Sequence, residues 1–261
     1  MSTYVMSDIH GHLKLFKTML EKIGFKINSD DTLYLLGDYA DFGEANAETL
    51  FYIMKLCKDS NNVKCLLGNH DLMLLEQLKY YLETEDINTM QYNMNWLYNN
   101  GGAHTFNELL EHSKDELIEL AEWLDNLPYR VDIEVNSEEY TLVHASPTII
   151  VDKKDKRYDA LRYSAVWSRV ISETYQFERN SNELFMNYRD LYEYDKLIIG
   201  HTIVSKFQGH GKPYKIQYLA DNTIIDIDCG CKIAGNNQFM DYENARLAAL
   251  RLDDLKEYYV K

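Results

Sequence analysis

The chain has 261 residues, 46% of them hydrophobic, and 42 acidic against 27 basic side chains give it a formal net charge of -15. That length suits a single domain with a substantial core, while the acidity opposes the clustered Lys and Arg that hold long nucleic acid. No apolar run reaches the ~18 residues of a membrane span, and Met1 leads into Asp8 without a secretory apolar stretch, so the expected location is cytoplasmic, away from membranes.

Six short runs rich in Val, Ile, Leu or Tyr are predicted as strands, at residues 4–6, 32–36, 63–67, 140–143, 196–199 and 223–227. Apolar residues at helical spacing over 13–23, 47–56 and 72–82 alternate with the first three runs, an order that predicts parallel strands joined by crossover helices. Cys57 and Cys65 fall in a helix-like and a strand-like run, and both are expected to be reduced, buried thiols. From 89 to 127 the helical pattern continues, broken at Asn99-Asn100-Gly101-Gly102 and before Lys114, where Ser113 and Glu116 have capping-box spacing. One domain over 1–261 with a helical insertion at about 72–130 is the expected organisation. Residues 152–157 read as a charged loop, Gly209-His210-Gly211-Lys212-Pro213 as a turn, and 223–228 with 245–252 as a hairpin with a long connection. Cys229 and Cys231 form a C-x-C, but two thiolates do not complete a tetrahedral metal site.

The chemistry lies where the strands end. Five of the six runs stop at metal-binding residue types: Ser7-Asp8-Ile9-His10-Gly11, Gly37-Asp38-Tyr39-Ala40-Asp41, Gly68-Asn69-His70-Asp71, His144-Ala145-Ser146 and Gly200-His201-Thr202. Ligands of α/β sheets gather at the carboxyl ends of strands, so these five ends are expected to converge. Two apart on an extended chain, Asp8 and His10 point to one side and can share a cation. The Asp38 carboxylate is the simplest bridge between two cations ~3.5–4 Å apart. On an extended turn the neighbours Asn69 and His70 face different ways, so Asn69 can ligate through its amide oxygen while His70 points at substrate. Carboxylate, imidazole and amide together suit manganese, iron or zinc better than calcium. Two such cations activate water and neutralise phosphoryl oxygens, and His70, oriented by Asp41, can protonate the leaving oxygen. His12, His104, His112 and His210 lack this setting and read as surface or satisfied histidines; Asp226 and Asp228 read as support.

The order Asp-x-His-Gly, Gly-Asp-x-x-Asp-x-Gly, Gly-Asn-His-Asp, a lone His after a strand, and Gly-His-Thr resembles the calcineurin-like metallophosphoesterases. Within them it resembles the phosphoprotein phosphatase branch of bacterial and phage Ser/Thr phosphatases and symmetrical diadenosine tetraphosphatases. A lone Asp or His at a strand end is usually a cap or turn residue; five in this order are not. The resemblance implies an α/β fold of two stacked mixed β-sheets flanked by helices, with the metals at one edge. It implies one metal held by Asp8, His10 and Asp38, a second by Asp38, Asn69, His144 and His201, and an acid pair of His70 and Asp41. Trp167-Ser168-Arg169 resembles a segment whose arginine binds phosphate, which implies that role for Arg169; the alternative is a helix-surface cation, since 167–171 continues a helical pattern. Where the family usually has a second arginine, this chain has Phe42, and Arg157, Arg162 and Lys206 are substitutes by proximity in sequence. The implied function is a Ser/Thr protein phosphatase-like hydrolase using two divalent cations, manganese first and iron or zinc next. Its substrate is then a phosphorylated protein. The alternatives are a hydrolase of dinucleoside polyphosphates, with a base stacked on Phe42, and a weakly active protein that binds a phosphorylated partner.

Overall fold

A computed structural model describes residues 1–87, 93–169 and 195–261. Strands β1 (Thr3–Met6), β2 (Thr32–Leu35) and β3 (Val63–Cys65) run parallel, with α1 (Leu13–Ile23) and α2 (Asn46–Asp59) as crossovers, as the alternation predicts. The second sheet contains β4 (Arg130–Val135), β5 (Glu138–Val143), β6 (Lys196–Ile199), β7 (Gln217–Leu219) and β8 (Ile224–Asp226), of which β5, β6 and β8 are parallel. Two late strands, β9 (Leu247–Arg251) and β10 (Lys256–Val260), return to the first sheet. The orders are β10-β9-β1-β2-β3 and β4-β5-β6-β8-β7.

Period-two alternation distributes the strand residues between layers. Tyr4, Met6, Leu33 and Leu35 pack with Phe16 and Met19 of α1 and Leu50 and Ile53 of α2. Val5, Leu36 and Leu66 point the other way, into a cluster with Leu142, Ile198, Ile225 and Leu250 between the two sheets. The far face of the second sheet, with Val143, Leu197 and Ile199, is covered by Tyr158 and Ala165 of α7 (Tyr158–Trp167). The layers therefore run helix, sheet, sheet, helix, which is the stacked mixed-sheet α/β architecture that the motif order implies.

Between β3 and β4 the chain forms α3 (Asn69–Thr84), α4 (Met94–Asn99), α5 (Gly102–Leu109) and α6 (Lys114–Asn126), the last with the Ser113–Glu116 capping box in place. Residues 88–92 of the expected helical stretch lie outside the described residues. Among the described residues no helix is long and apolar enough to cross a membrane.

Two expectations are corrected. The stretches 223–228 and 245–252 do not form a hairpin: β8 joins the second sheet, and β9 runs antiparallel to both β1 and β10 in the first, with a single Gly230–Arg246 bridge between the two stretches. Leu-Ala-Ala-Leu is buried on both faces, so its local pattern carries no preference for a partner. Cys57 and Cys65 are not separate thiols either. Helix α2 packs back on β3, bringing their Cα atoms to 7.1 Å, and the two are paired as a disulfide. Cys229 and Cys231 are buried and free.

Candidate active site

The loops after β1, β2 and β3 approach one another because glycine leaves room. A Cβ on Gly37 would lie 2.3 Å from the Gly68 nitrogen, and one on Gly200 would lie 2.2 Å from Asp8 Oδ2. The side chains are not aimed by strand alternation as expected. Asp8 (φ 55°), His10 (φ 49°), Asp38 (φ 56°) and His201 (φ 65°) are all left-handed, a conformation that costs roughly 1–2 kcal/mol per residue and gathers at functional sites. Asn69 and His70 likewise form the first turn of α3 instead of an extended turn. Their side chains diverge through the ~100° per residue rotation of a helix.

These reversals bring the six expected ligands together. Asp38 Oδ2 lies 3.5 Å from His10 Nε2 and 3.5 Å from His144 Nε2. His10 Nε2 is 3.7 Å from Asp8 Oδ1, and His144 Nε2 is 3.0 Å from Asn69 Oδ1. The backbone N–H of His201 donates to Asp8 Oδ2 at 3.0 Å, drawing the second sheet onto the first. The His201 ring packs on His144 with centroids 5.1 Å apart, and its buried Nε2 has no hydrogen-bond partner among the described residues.

Tautomers follow from the partners. His10 Nδ1 faces the Ala40 carbonyl at 3.0 Å and His144 Nδ1 the Leu36 carbonyl at 2.9 Å. A carbonyl only accepts, so both Nδ1 atoms donate, and in its neutral form each ring turns an Nε2 lone pair inward. Lone pairs, carboxylate oxygens and an amide oxygen then face one another, which only positive charge reconciles. Burial pulls His144 down, but Asp38 and Asp8 outweigh it and hold the ring up at about 9. His201 is pushed down to about 3 by burial, with His144 and Arg169 adding to it. Divalent cations meet the same demand, and the nitrogen and oxygen donors fit them. Asp38, His10 and His70 make one group with ligand atoms close enough to hold an ion, and Asp38, His144 and His201 make another; Asp38 belongs to both.

Asp71, which closes the Gly-Asn-His-Asp motif, is the hub beneath. It accepts the backbone N–H groups of Gly68 at 2.8 Å, Asp38 at 2.7 Å and Tyr39 at 3.1 Å. Burial, with Asp38 adding to it, raises Asp71 to about 7.

His70 is oriented as well as placed. Its Nδ1 lies 2.5 Å from Asp41 Oδ2, and Asp41 also accepts the Trp96 indole N–H at 2.6 Å and the Thr105 hydroxyl at 2.5 Å. With Nδ1 committed, Nε2 is the ring atom left for the cavity that His70 lines.

That cavity, about 430 Å³, is walled by Asp8, His10, Asp38, Asn69 and His201, with His144 buried behind them, and by three cations, Arg169, Lys206 and Lys232. Arg169 follows the end of α7, and its Nη1 donates to the His201 carbonyl at 3.2 Å and to Thr202 Oγ1 at 2.8 Å. Ile171, on which the helix-surface alternative rested, lies outside the described residues. Arg157 pairs with Asp155 and Arg162 with Asp125, and neither lines the cavity. Phe42 does not line it either. It borders the neighbouring cavity with His12 and Glu44, and Lys232 Nζ stands 4.1 Å above its ring. Asp228 reaches the wall, while Asp226 is buried and accepts the Asp228 N–H. His12, expected at the surface or satisfied, is buried and paired with Glu44 through Nδ1, leaving Nε2 without a partner among the described residues. Trp96, Thr105 and Lys232 were missed in the sequence: the first two lie on helices 55 and 64 residues beyond Asp41 in the chain, and no local motif marks them.

A family model described as calcineurin-like phosphoesterase matches residues 1–228. The chain is 29% identical over 205 residues to Serine/threonine-protein phosphatase 2 of Salmonella typhimurium, covering 77% of this chain and 79% of that protein. It is 44% identical over 79 residues to a symmetrical Bis(5'-nucleosyl)-tetraphosphatase of Haemophilus ducreyi, a match of 30% of this chain that spans only 27% of that relative's length. Among solved structures it resembles a cold-active protein-tyrosine phosphatase of a psychrophilic Shewanella, with a TM-score of 0.61 and 17% identity over 100% of this chain and 80% of that one. At that identity the likeness speaks for the fold alone.

Proposed function

This chain belongs to the calcineurin-like phosphoesterases, hydrolases of phosphate esters or anhydrides, and from that premise we propose that it is a phosphatase of the Ser/Thr protein phosphatase type, working with two divalent cations. The observation that carries the reading is Asp38, one oxygen of which stands 3.5 Å from the inward nitrogens of both His10 and His144. Asp8, His10 and Asp38 would hold one cation, and Asp38, Asn69, His144 and His201 the other, with manganese the best match to this donor mixture and iron or zinc next. When bound, the cations supply activated water and neutralise the phosphoryl oxygens.

The chain's own groups do the rest. Arg169, steadied by Thr202 and the His201 carbonyl, presents its guanidinium to a phosphoryl oxygen. His70 gives a proton to the leaving oxygen from Nε2, while Asp41, held by Trp96 and Thr105, keeps the ring turned toward the cavity.

A second reading, hydrolysis of dinucleoside polyphosphates, draws support from the wall. Lys206 and Lys232 beside Arg169 offer more positive charge than one phosphate monoester requires. It loses support at Phe42, where Lys232 already covers one ring face that a base would stack on. Phosphate release from a phosphopeptide, a diadenosine polyphosphate and an aryl phosphate, each with manganese, decides between them. We expect turnover of the phosphopeptide and the aryl phosphate, abolished by chelation and restored by manganese. A marked preference for the diadenosine compound would replace the first reading by the second, and phosphate binding without turnover of any substrate would leave a binding protein.

A further inference from the structure

Lys232 is the cation that the site has not yet used. It sits in a 3-10 turn, Cys231–Ile233, entered through Gly230 in the left-handed region at φ 77°, and reaches the cavity wall half-buried. Among the described residues it makes no ion pair; its contact is the face of Phe42, 4.1 Å from Nζ. That ring is wedged in turn, edge to face, by His10 at 5.6 Å, His70 at 5.8 Å and Phe239 at 6.3 Å. The ammonium is thus braced on a fixed aromatic platform beside His10 and His70. Arg169 stands beside His201, and Lys206 is exposed on the short helix Ser205–Gln208.

The carboxylates of Asp38, Asp228, Asp8 and Asp41 act on this ammonium at longer range, but none of them forms an ion pair with it among the described residues. On the wall of a cavity whose ligand carboxylates would be taken up by cations, its donors are left for an anion. We propose that Lys232, held by Phe42, binds an oxygen of the phosphoryl group that is transferred, on the side of the cavity nearest His70. This rests on the phosphoesterase reading of the site and extends it, making Phe42 a positioning residue and Lys232 a substrate-binding one. An ammonium on a flexible stem suits that task as a point charge with three donors.

Inorganic phosphate, the product, is the probe. Calorimetric titration into manganese-loaded wild type and Lys232→Met should show phosphate binding weakened roughly 10- to 150-fold in the variant, the range of a hydrogen bond between charged groups. The kcat/KM on an aryl phosphate should fall by a similar factor, with metal content unchanged. Lys232→Arg should recover part of the loss, and Phe42→Leu, which keeps the charge but removes its platform, should fall between wild type and Lys232→Met. Phosphate binding by Lys232→Met within about twofold of wild type would overturn the proposal. So would a loss confined to a diadenosine polyphosphate, which would move Lys232 to a leaving-group phosphate. If the methionine variant does not fold, Lys232→Gln makes the same comparison. If wild type hydrolyses no substrate, the phosphatase reading fails, and the phosphate titration still decides the place of Lys232.

Discussion

The two sheets hold their shares of the site differently. On the first sheet's side each loop is fastened within that half: Asp71 gathers three backbone N–H groups from the ends of β2 and β3, His10 is tied to Ala40, and Asp38 Oδ1 accepts the His70 N–H at 2.9 Å. On the second sheet's side the anchors cross over. His144 leans on Leu36, His201 reaches Asp8 through its backbone, and the His201 ring nitrogen Nε2 has no partner among the described residues. The first half is a preorganised frame and the second is docked on it. If Asp38 is shared by two cations, as proposed, its place is on the frame, because a small displacement there would disturb both.

Asp38→Asn should therefore do the most damage of any single ligand change, depleting both cations and taking turnover below any other variant, while His201→Ala should mainly deplete one. Elemental analysis per chain with steady-state kinetics checks this. Two cations and normal turnover in the asparagine variant would remove the bridge, and a worse outcome for His201→Ala would reverse the ranking of the halves.

Next in size is His70→Asn, expected to keep the metals and to slow substrates with poor leaving groups by ~10²–10⁴-fold, the usual scale of general-acid catalysis. The deficit should shrink for a nitrophenyl phosphate, whose leaving group hardly needs a proton. Equal deficits on both substrates would take the acid role from His70.

Asp71→Asn tests the frame without touching a ligand. An amide offers one acceptor oxygen where three N–H groups converge, so metal affinity should drop by roughly 10- to 100-fold, the scale for groups that orient ligands. Metal-binding titration measures it. An affinity equal to wild type would mean that the first half is held by its strands alone.

The smallest effect concerns how the helices between β3 and β4 attach to the second half. Asp125 of α6 pairs with Lys79 of α3 at 3.0 Å and Arg162 of α7 at 3.1 Å. Burial works against its charge, yet these hydrogen bonds, with Lys153 nearby, bring the carboxyl from an ordinary 3.8 down to about 2. A lowered folded-state value means stability that is complete above the ordinary value and is lost as pH falls through about 2. Asp125 is partly exposed, so screening keeps the contribution to ~1 kcal/mol or less. Urea unfolding of wild type and Asp125→Asn should differ by that much at neutral pH and converge in acid; a difference that persists in strong acid would refute the ion-pair origin.

Much of the chemistry was legible in one dimension because it is written in short motifs. Strand ends carrying Asp8, His10, Asp38, Asn69, His144 and His201 can be named from residue type and order, and the alternation of strand and helix over the first half dictates parallel pairing. The late strands were not legible in the same way. β4 and β10 are half-buried and charged, and β9 is apolar on both faces, so local pattern could say neither that they pair nor with what. Nor could spacing on an extended chain show how the ligands are aimed, since that depends on left-handed residues whose cost is met only by the contacts of the folded state. The sequence by itself determined which side chains could hold phosphate chemistry. Tertiary structure alone decided what orients them: Trp96 and Thr105 on Asp41, Asp71 beneath three backbone groups, and Lys232 over the ring of Phe42, all joined by packing between segments that share no local signal.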